Sequence, residues 1–161
     1  MRVGWGFDVH QFGGDPPVLL AGVPTDQERG LLGTSLADPV AHAVADALLG
    51  AAALGDLGEL FPSSDPRWQG ADSMELLRTV VDRFHAEGLR VDHLDVTVVA
   101  ETVRVAPVRA FVRAALAEAL EVELDTISVK ATSTDGLGFT GRDEGVAAIA
   151  VVTSCGPGQD S

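Results

Sequence analysis

Two residues near the start of the chain have the types and spacing of metal ligands. In Gly6-Phe7-Asp8-Val9-His10 an apolar run ends on an aspartate and a histidine two positions apart. On an extended strand such positions project to the same side. The Asp8 carboxylate and the His10 imidazole then face one small volume. An oxygen and a nitrogen donor converging there suit a divalent transition metal, zinc above all. A third donor has to come from elsewhere.

Asp38, His42 and Asp46 recur at i, i+4 and i+8, which places them on one face of a helical stretch otherwise built of alanine, leucine and valine. Alone, that stripe reads as the solvated face of the helix. Taken with Asp8 and His10, it offers His42 as the third ligand. A fourth tetrahedral position stays open for substrate, the pattern of a catalytic zinc. Asp38 and Asp46 would then orient ligands or touch substrate. His85 and His93, late in a helix and in a turn, read as surface residues.

A second constellation runs from Lys130 to Arg142. Three hydroxyls (Thr132, Ser133, Thr134) and Asp135 precede the glycine-rich turn Gly136-Leu137-Gly138. Backbone amides and hydroxyls on such a loop cradle phosphate. Lys130 and Arg142 supply positive charge, and Asp135 suits magnesium held between phosphate groups. An ordinary polar hairpin is the competing reading. Arg104, in the connection from Ala100 to Pro107, is read either as a phosphate or base contact or as a solvated side chain.

These groups need elements to position them. Met1–Asp8 and Val18–Ala21 read as strands, and residues 25–37 as a long surface loop. Asp38-Pro39 starts a helix over Val40–Leu54, stopped at Gly55. Residues 56–70 read as loop. Asp72 or Ser73 caps a helix over Met74–Glu87 with an apolar face. Leu94–Ala100 is a strand, and Pro107 opens a helix to about Leu120. Ile127–Thr132 and Gly145–Thr153 are strands around the loop 133–143. The order predicts one α/β (α+β) domain over 1–155, a mixed sheet with helices on one face, and a flexible tail over 156–161.

The chain has 161 residues, enough for one real core, and a net charge of −13. That charge argues against nucleic acid or an anionic membrane as partner. No apolar run approaches the length of a membrane span or a signal peptide. A single cysteine, Cys155, fits a reducing compartment. The expectation is a cytoplasmic protein.

Taken together, Gly4–His10, Asp38–Asp46, Leu48–Gly58, Phe61-Pro62, Gly70-Ala71-Asp72-Ser73 and Lys130–Gly145 resemble the 2-C-methyl-D-erythritol 2,4-cyclodiphosphate synthase family over nearly the whole chain. The resemblance implies a homotrimer packed around a central axis, with sites between subunits. It implies a lyase of non-mevalonate isoprenoid biosynthesis that cyclises 4-diphosphocytidyl-2-C-methyl-D-erythritol 2-phosphate and releases CMP. By the same resemblance, Asp8, His10 and His42 hold zinc or another divalent transition metal. Asp135 holds Mg2+ or Mn2+, and Thr34 and Ser133 stand at the catalytic positions. Ser35, Asp46, Asp56, Leu57, Gly58, Phe61, Asp65, Phe139 and Arg142 belong to the substrate site. Ala100, Arg104, Val105, Ala106, Lys130, Ala131, Thr132 and Ser133 frame the cytidine and its phosphates.

The chain departs from the family where it reads Thr34-Ser35-Leu36-Ala37-Asp38 in place of His-Ser-Asp-Gly-Asp. Threonine donates a hydrogen bond but carries no charge. Leu36 and Ala37 imply a stiffer loop. The leading expectation is an active cyclase. A zinc- and nucleotide-binding homologue without turnover, and a zinc phosphohydrolase acting on a nucleotide diphosphate, are the alternatives.

Overall fold

The computed structural model describes residues 1–156. Its main sheet is built from β1 (Arg2–Gly14), β4 (Gly30–Leu31), β5 (Arg90–Val99), β6 (Ile127–Thr132) and β7 (Gly145–Cys155), in the order β4-β1-β7-β5-β6. β5 and β6 run parallel; the other neighbours are antiparallel. A small ribbon pairs β2 (Val18–Leu20) with β3 (Val23–Asp26). The helices are α1 (Pro39–Ala52), α2 (Leu57–Leu60), α3 (Ser73–Ala86), α4 (Arg109–Leu120) and α5 (Gly138–Gly141).

The register separates two faces. Gly4, Val152, Leu94 and Ile127 are cross-strand neighbours on one of them. This face is buried under α1 and α4, with α3 packed on both helices. Phe7, Ile149, Thr97 and Lys130 are neighbours on the other. There Val3, Trp5, Phe7 and Val9 stay exposed, Trp5 by 60%. The mixed sheet with helices on one face is thus as expected.

α1 lies directly on β1 because Gly4 and Gly6 have no side chains. A Cβ on Gly4 would stand 1.8 Å from the Ala47 carbonyl oxygen, and one on Gly6 would stand 1.9 Å from that of Ala43. Asp38 caps α1, its oxygens accepting the N–H groups of Val40 and Ala41 and those of Ala21 and Gly22 in the β2–β3 turn.

Several boundaries differ from expectation. β1 continues past Asp8 to Gly14, because its pairing with β7 runs on to Gln11 and then passes to β4. The stretch 25–37 holds the end of β3 and all of β4, too short to show a period. α1 ends at Ala52, with Ala53 left-handed at φ 59°. The stretch 56–70 contains α2 and a 3-10 turn over Pro66–Trp68, and 133–143 contains α5. α4 starts at Arg109 rather than Pro107. Except for Gly156, the tail expected over 156–161 lies outside the described residues.

Candidate active site

β1 alternates, so Gly4, Gly6, Asp8 and His10 all face the helices. The strand climbs as α1 descends, from Gly4 under Ala47 to Gly6 under Ala43. The next step brings Asp8 beneath the first turns of α1, where His42 projects. Asp8 Oδ2, His10 Nε2 and His42 Nδ1 stand 2.8, 3.0 and 3.1 Å from one another. Among the described residues these three form the group whose donor atoms converge as metal ligands would. His42 is buried and Asp38 fully so, which rules out a solvated stripe on α1.

The outer ring nitrogens are committed elsewhere. His10 Nδ1 lies 2.7 Å from the Leu32 carbonyl oxygen, which only accepts, so the ring proton sits there. His42 Nε2 lies 3.0 Å from Ser73 Oγ and 3.2 Å from Ser35 Oγ. With those protons placed outward, the three inner atoms present lone pairs to one another. Such a set repels itself unless a cation or a proton lies between. Donors about 2.0–2.1 Å from a tetrahedral zinc stand roughly 3.3 Å apart, close to the spacings seen. The residues fit a divalent transition metal.

The electrostatics agree. Burial by itself pushes the Asp8 carboxyl up, but the His10 and His42 imidazoles that face it outweigh burial and hold it below the ordinary carboxylate range. Burial pulls His10 down, but Asp8 and the Leu32 carbonyl win and leave it above its ordinary value. The centre attracts positive charge.

Beside it lies a cavity of about 170 Å³ lined by His10, His42, Thr34, Ser35, Leu57, Gly58, Phe61 and Trp68 among others. Phe61 and Trp68 meet edge to face at 4.9 Å. Asp46 Oδ1 accepts the Leu57 N–H at 2.8 Å, which holds the start of α2 against α1. Asp56 caps α2, and Asp65 caps the following 3-10 turn while pairing with Arg67. The Thr34 carbonyl accepts from Gly70 N–H, and Leu36 N–H donates to the Ala71 carbonyl. The loop at 34–36 is therefore docked on 70–71.

The second constellation lies apart from the first. Ala100 N–H donates to the Thr132 carbonyl, which joins the ends of β5 and β6. Arg104 and Ala106 are exposed, while Val103 and Val105 enter the core. Ser133 Oγ donates to Asp135 Oδ1 at 3.1 Å. Two strands separate β1 from β6, about 14 Å at the usual strand spacing. Lys130 and Thr132 pair across the sheet with residues on the Phe7 and Val9 face, away from Asp8 and His10. Lys130 binds Asp95 at 2.6 Å and Arg142 binds Glu144 at 2.7 Å, so both cations already hold carboxylates. Ala131 is exposed beside Lys130. Phe139 lines a separate hollow with Val9, His10 and Gln11.

The YgbB family model matches residues 1–154. The chain is 51% identical over 152 residues to the 2-C-methyl-D-erythritol 2,4-cyclodiphosphate synthase of Aliivibrio salmonicida, covering 94% of this chain and 96% of that one. The chain belongs to the YgbB family of 2-C-methyl-D-erythritol 2,4-cyclodiphosphate synthases. Among solved structures it matches the bifunctional IspDF from Campylobacter jejuni with a TM-score of 0.91 at 41% identity, over 94% of this chain and 41% of that longer one. It also matches a CDP-bound form of a synthase of the same name with a TM-score of 0.85 at 31% identity, over 96% of this chain and 100% of that one.

For this member of the family, sequence reasoning missed Trp68, Leu76, Ser73 and the Leu32 carbonyl around Asp8, His10 and His42. Trp68 and Leu76 carry no distinctive spacing. The Leu32 carbonyl has no side-chain signature at all. Ser73 reads from sequence as one of two candidate helix caps, and Asp72, the other, does the capping.

Proposed function

We propose that the chain cyclises 4-diphosphocytidyl-2-C-methyl-D-erythritol 2-phosphate to 2-C-methyl-D-erythritol 2,4-cyclodiphosphate with release of CMP, in non-mevalonate isoprenoid biosynthesis. One observation carries this: the convergence of Asp8, His10 and His42 at 2.8–3.1 Å beside a pocket, in a chain 51% identical to a named synthase. An oxygen of the 2-phosphate attacks the β-phosphorus of the diphosphate. A new P–O bond forms, the bond between β-phosphorus and the bridging oxygen breaks, and CMP leaves with the electron pair.

A divalent cation held by Asp8, His10 and His42 would polarise a phosphate oxygen as a Lewis acid. The chain does the positioning. Leu57, Gly58 and Phe61 with Trp68 hold the methylerythritol part and keep water out. Thr34 and Ser35 face the same cavity with hydroxyl donors. Ser133 and Asp135, with Ala100–Ala106 and Lys130–Thr132, take the cytidine and its phosphates, Asp135 binding Mg2+ or Mn2+. The CDP in the solved synthase supports a cytidine ligand.

The two halves of this site are separated by two strands and face opposite sides of the sheet. We infer a homotrimer in which the nucleotide half of one subunit meets the metal half of the next. The exposed apolar face of Val3, Trp5, Phe7 and Val9 supports such burial. No helix among the described residues is long and apolar enough to cross a membrane. A cytoplasmic enzyme fits the reading.

Incubating the purified protein with zinc, magnesium and the substrate tests it. CMP with the cyclic product is the expected result. CMP with a linear phosphate makes the protein a hydrolase. Saturable CDP binding without turnover makes it a binding homologue.

A further inference from the structure

Ser73 opens α3 and is 2% exposed. The proposed reaction gives it no task, yet its hydroxyl meets two groups of the site. It donates to the Leu36 carbonyl, and its oxygen lies 3.0 Å from His42 Nε2. A hydroxyl has one proton, and a carbonyl only accepts. With that proton given to Leu36, the Ser73 oxygen can meet the imidazole only as an acceptor. The ring proton of His42 is therefore on Nε2. A neutral imidazole carries one N–H, so its lone pair is on Nδ1, the atom 3.0 Å from Asp8 Oδ2 and 3.1 Å from His10 Nε2.

We propose that Ser73 is a positioning residue of the metal centre: its hydroxyl fixes the tautomer and ring angle of His42 so that Nδ1 is ready to bind the ion. This rests on Asp8, His10 and His42 being a metal site. Histidine ligands are commonly oriented by a partner on their outer nitrogen, and losing that partner costs roughly 10–100-fold in metal affinity. The usual partner is a carboxylate, a carbonyl or water. For His10 it is the Leu32 carbonyl; for His42 it is a buried serine whose direction is set by a second carbonyl.

Ser35 lies 3.2 Å from the same nitrogen but differs in kind. It belongs to the loop leading out of the pocket, and its own proton is not committed, so it can donate or accept. Ser73 cannot. The Leu36 carbonyl belongs to the loop that follows Thr34, so one hydroxyl also couples the metal ligand to that loop.

Zinc affinity of wild type, Ser73→Ala, Ser73→Thr and Ser35→Ala, measured by competition with a chromophoric chelator, tests this. Ser73→Ala is expected to bind zinc about 10–100-fold more weakly, Ser73→Thr to recover most of that loss, and Ser35→Ala to stay within about threefold of wild type. Equal affinity for wild type and Ser73→Ala overturns the inference while leaving the metal site standing. A wild type that takes up no zinc overturns the metal site itself. A second measurement needs no variant: nitrogen-15 NMR of the metal-free wild type is expected to show His42 protonated on Nε2. A proton on Nδ1 overturns the proposal even if Ser73→Ala fails to fold.

Discussion

The carbonyl oxygen of Ala43 occupies the space that a side chain on Gly6 would need, 1.9 Å from where its Cβ would stand. This contact sets the height of α1 above β1, and so the reach of His42 to Asp8 and His10. A larger residue must lift the helix. Gly6→Ala is expected to destabilise the fold by about 1–3 kcal/mol, as overpacked cores do, and to weaken zinc binding in the same variant. Thermal unfolding and a zinc titration measure the two effects. Unchanged values for both would show that the helix position is not set here.

Removing a ligand should remove the ion. His42→Ala is expected to lose bound zinc and to lower turnover by about 100-fold or more, since a Lewis acid contributes several kcal/mol to such a transition state. Elemental analysis of the variant checks it, and full zinc occupancy would sink the assignment of His42.

Protons and metal should compete for the same place. Despite burial, Asp8 leaves the metal-free His10 with a pKa above its ordinary 6.5. A raised pKa means tighter proton binding, so the proton competes already from near neutrality downward. Zinc affinity is expected to be strong at pH 8 and to fall steadily towards pH 5.5. Isothermal titration across that range reads the slope, and a flat profile would contradict proton competition at His10.

Thr34 lines the pocket at a position where the resemblance to the family implies histidine, and it cannot carry charge. Thr34→His is expected to leave turnover equal or higher. Steady-state kinetics decide this, and a large loss would mean that the loop docked on Gly70 and Ala71 has specialised around threonine.

The apolar stripe along β1 should be covered in solution. Light scattering is expected to give three times the chain mass. Phe7→Asp, placed on the exposed face away from the metal ligands, is expected to shift the protein towards monomer and to abolish turnover while leaving zinc binding close to wild type. A monomeric wild type would count against sites shared between subunits.

The sequence spoke clearly where a local rule applies. Asp38-Pro39 marked the start of α1 because a capping carboxylate and a proline act within one turn. The period of α3 and the β-branched runs of β5 and β6 marked those elements. Elements with only long-range support were not legible. β4 has two residues and exists because Phe12 and Gly14 pair with it across the chain. The strand reading of β1 stopped at Asp8, and its continuation to Gly14 exists because β7 and then β4 pair with it.

The same division holds for the site. By residue type and spacing alone, the sequence determined which atoms could bind a metal: Asp8 with His10 through the two-residue strand repeat, and His42 through the helical one. Those repeats are properties of a single element, so they survive without any knowledge of packing. Only the tertiary structure decided that the elements meet, through the missing side chains of Gly4 and Gly6, and that Leu32 and Ser73 turn both rings inward. It also decided that β6, which carries Lys130 and leads into Ser133 and Asp135, is separated from β1 by two other strands. Sheet order is a matter of pairing between distant segments, and no local pattern carries it.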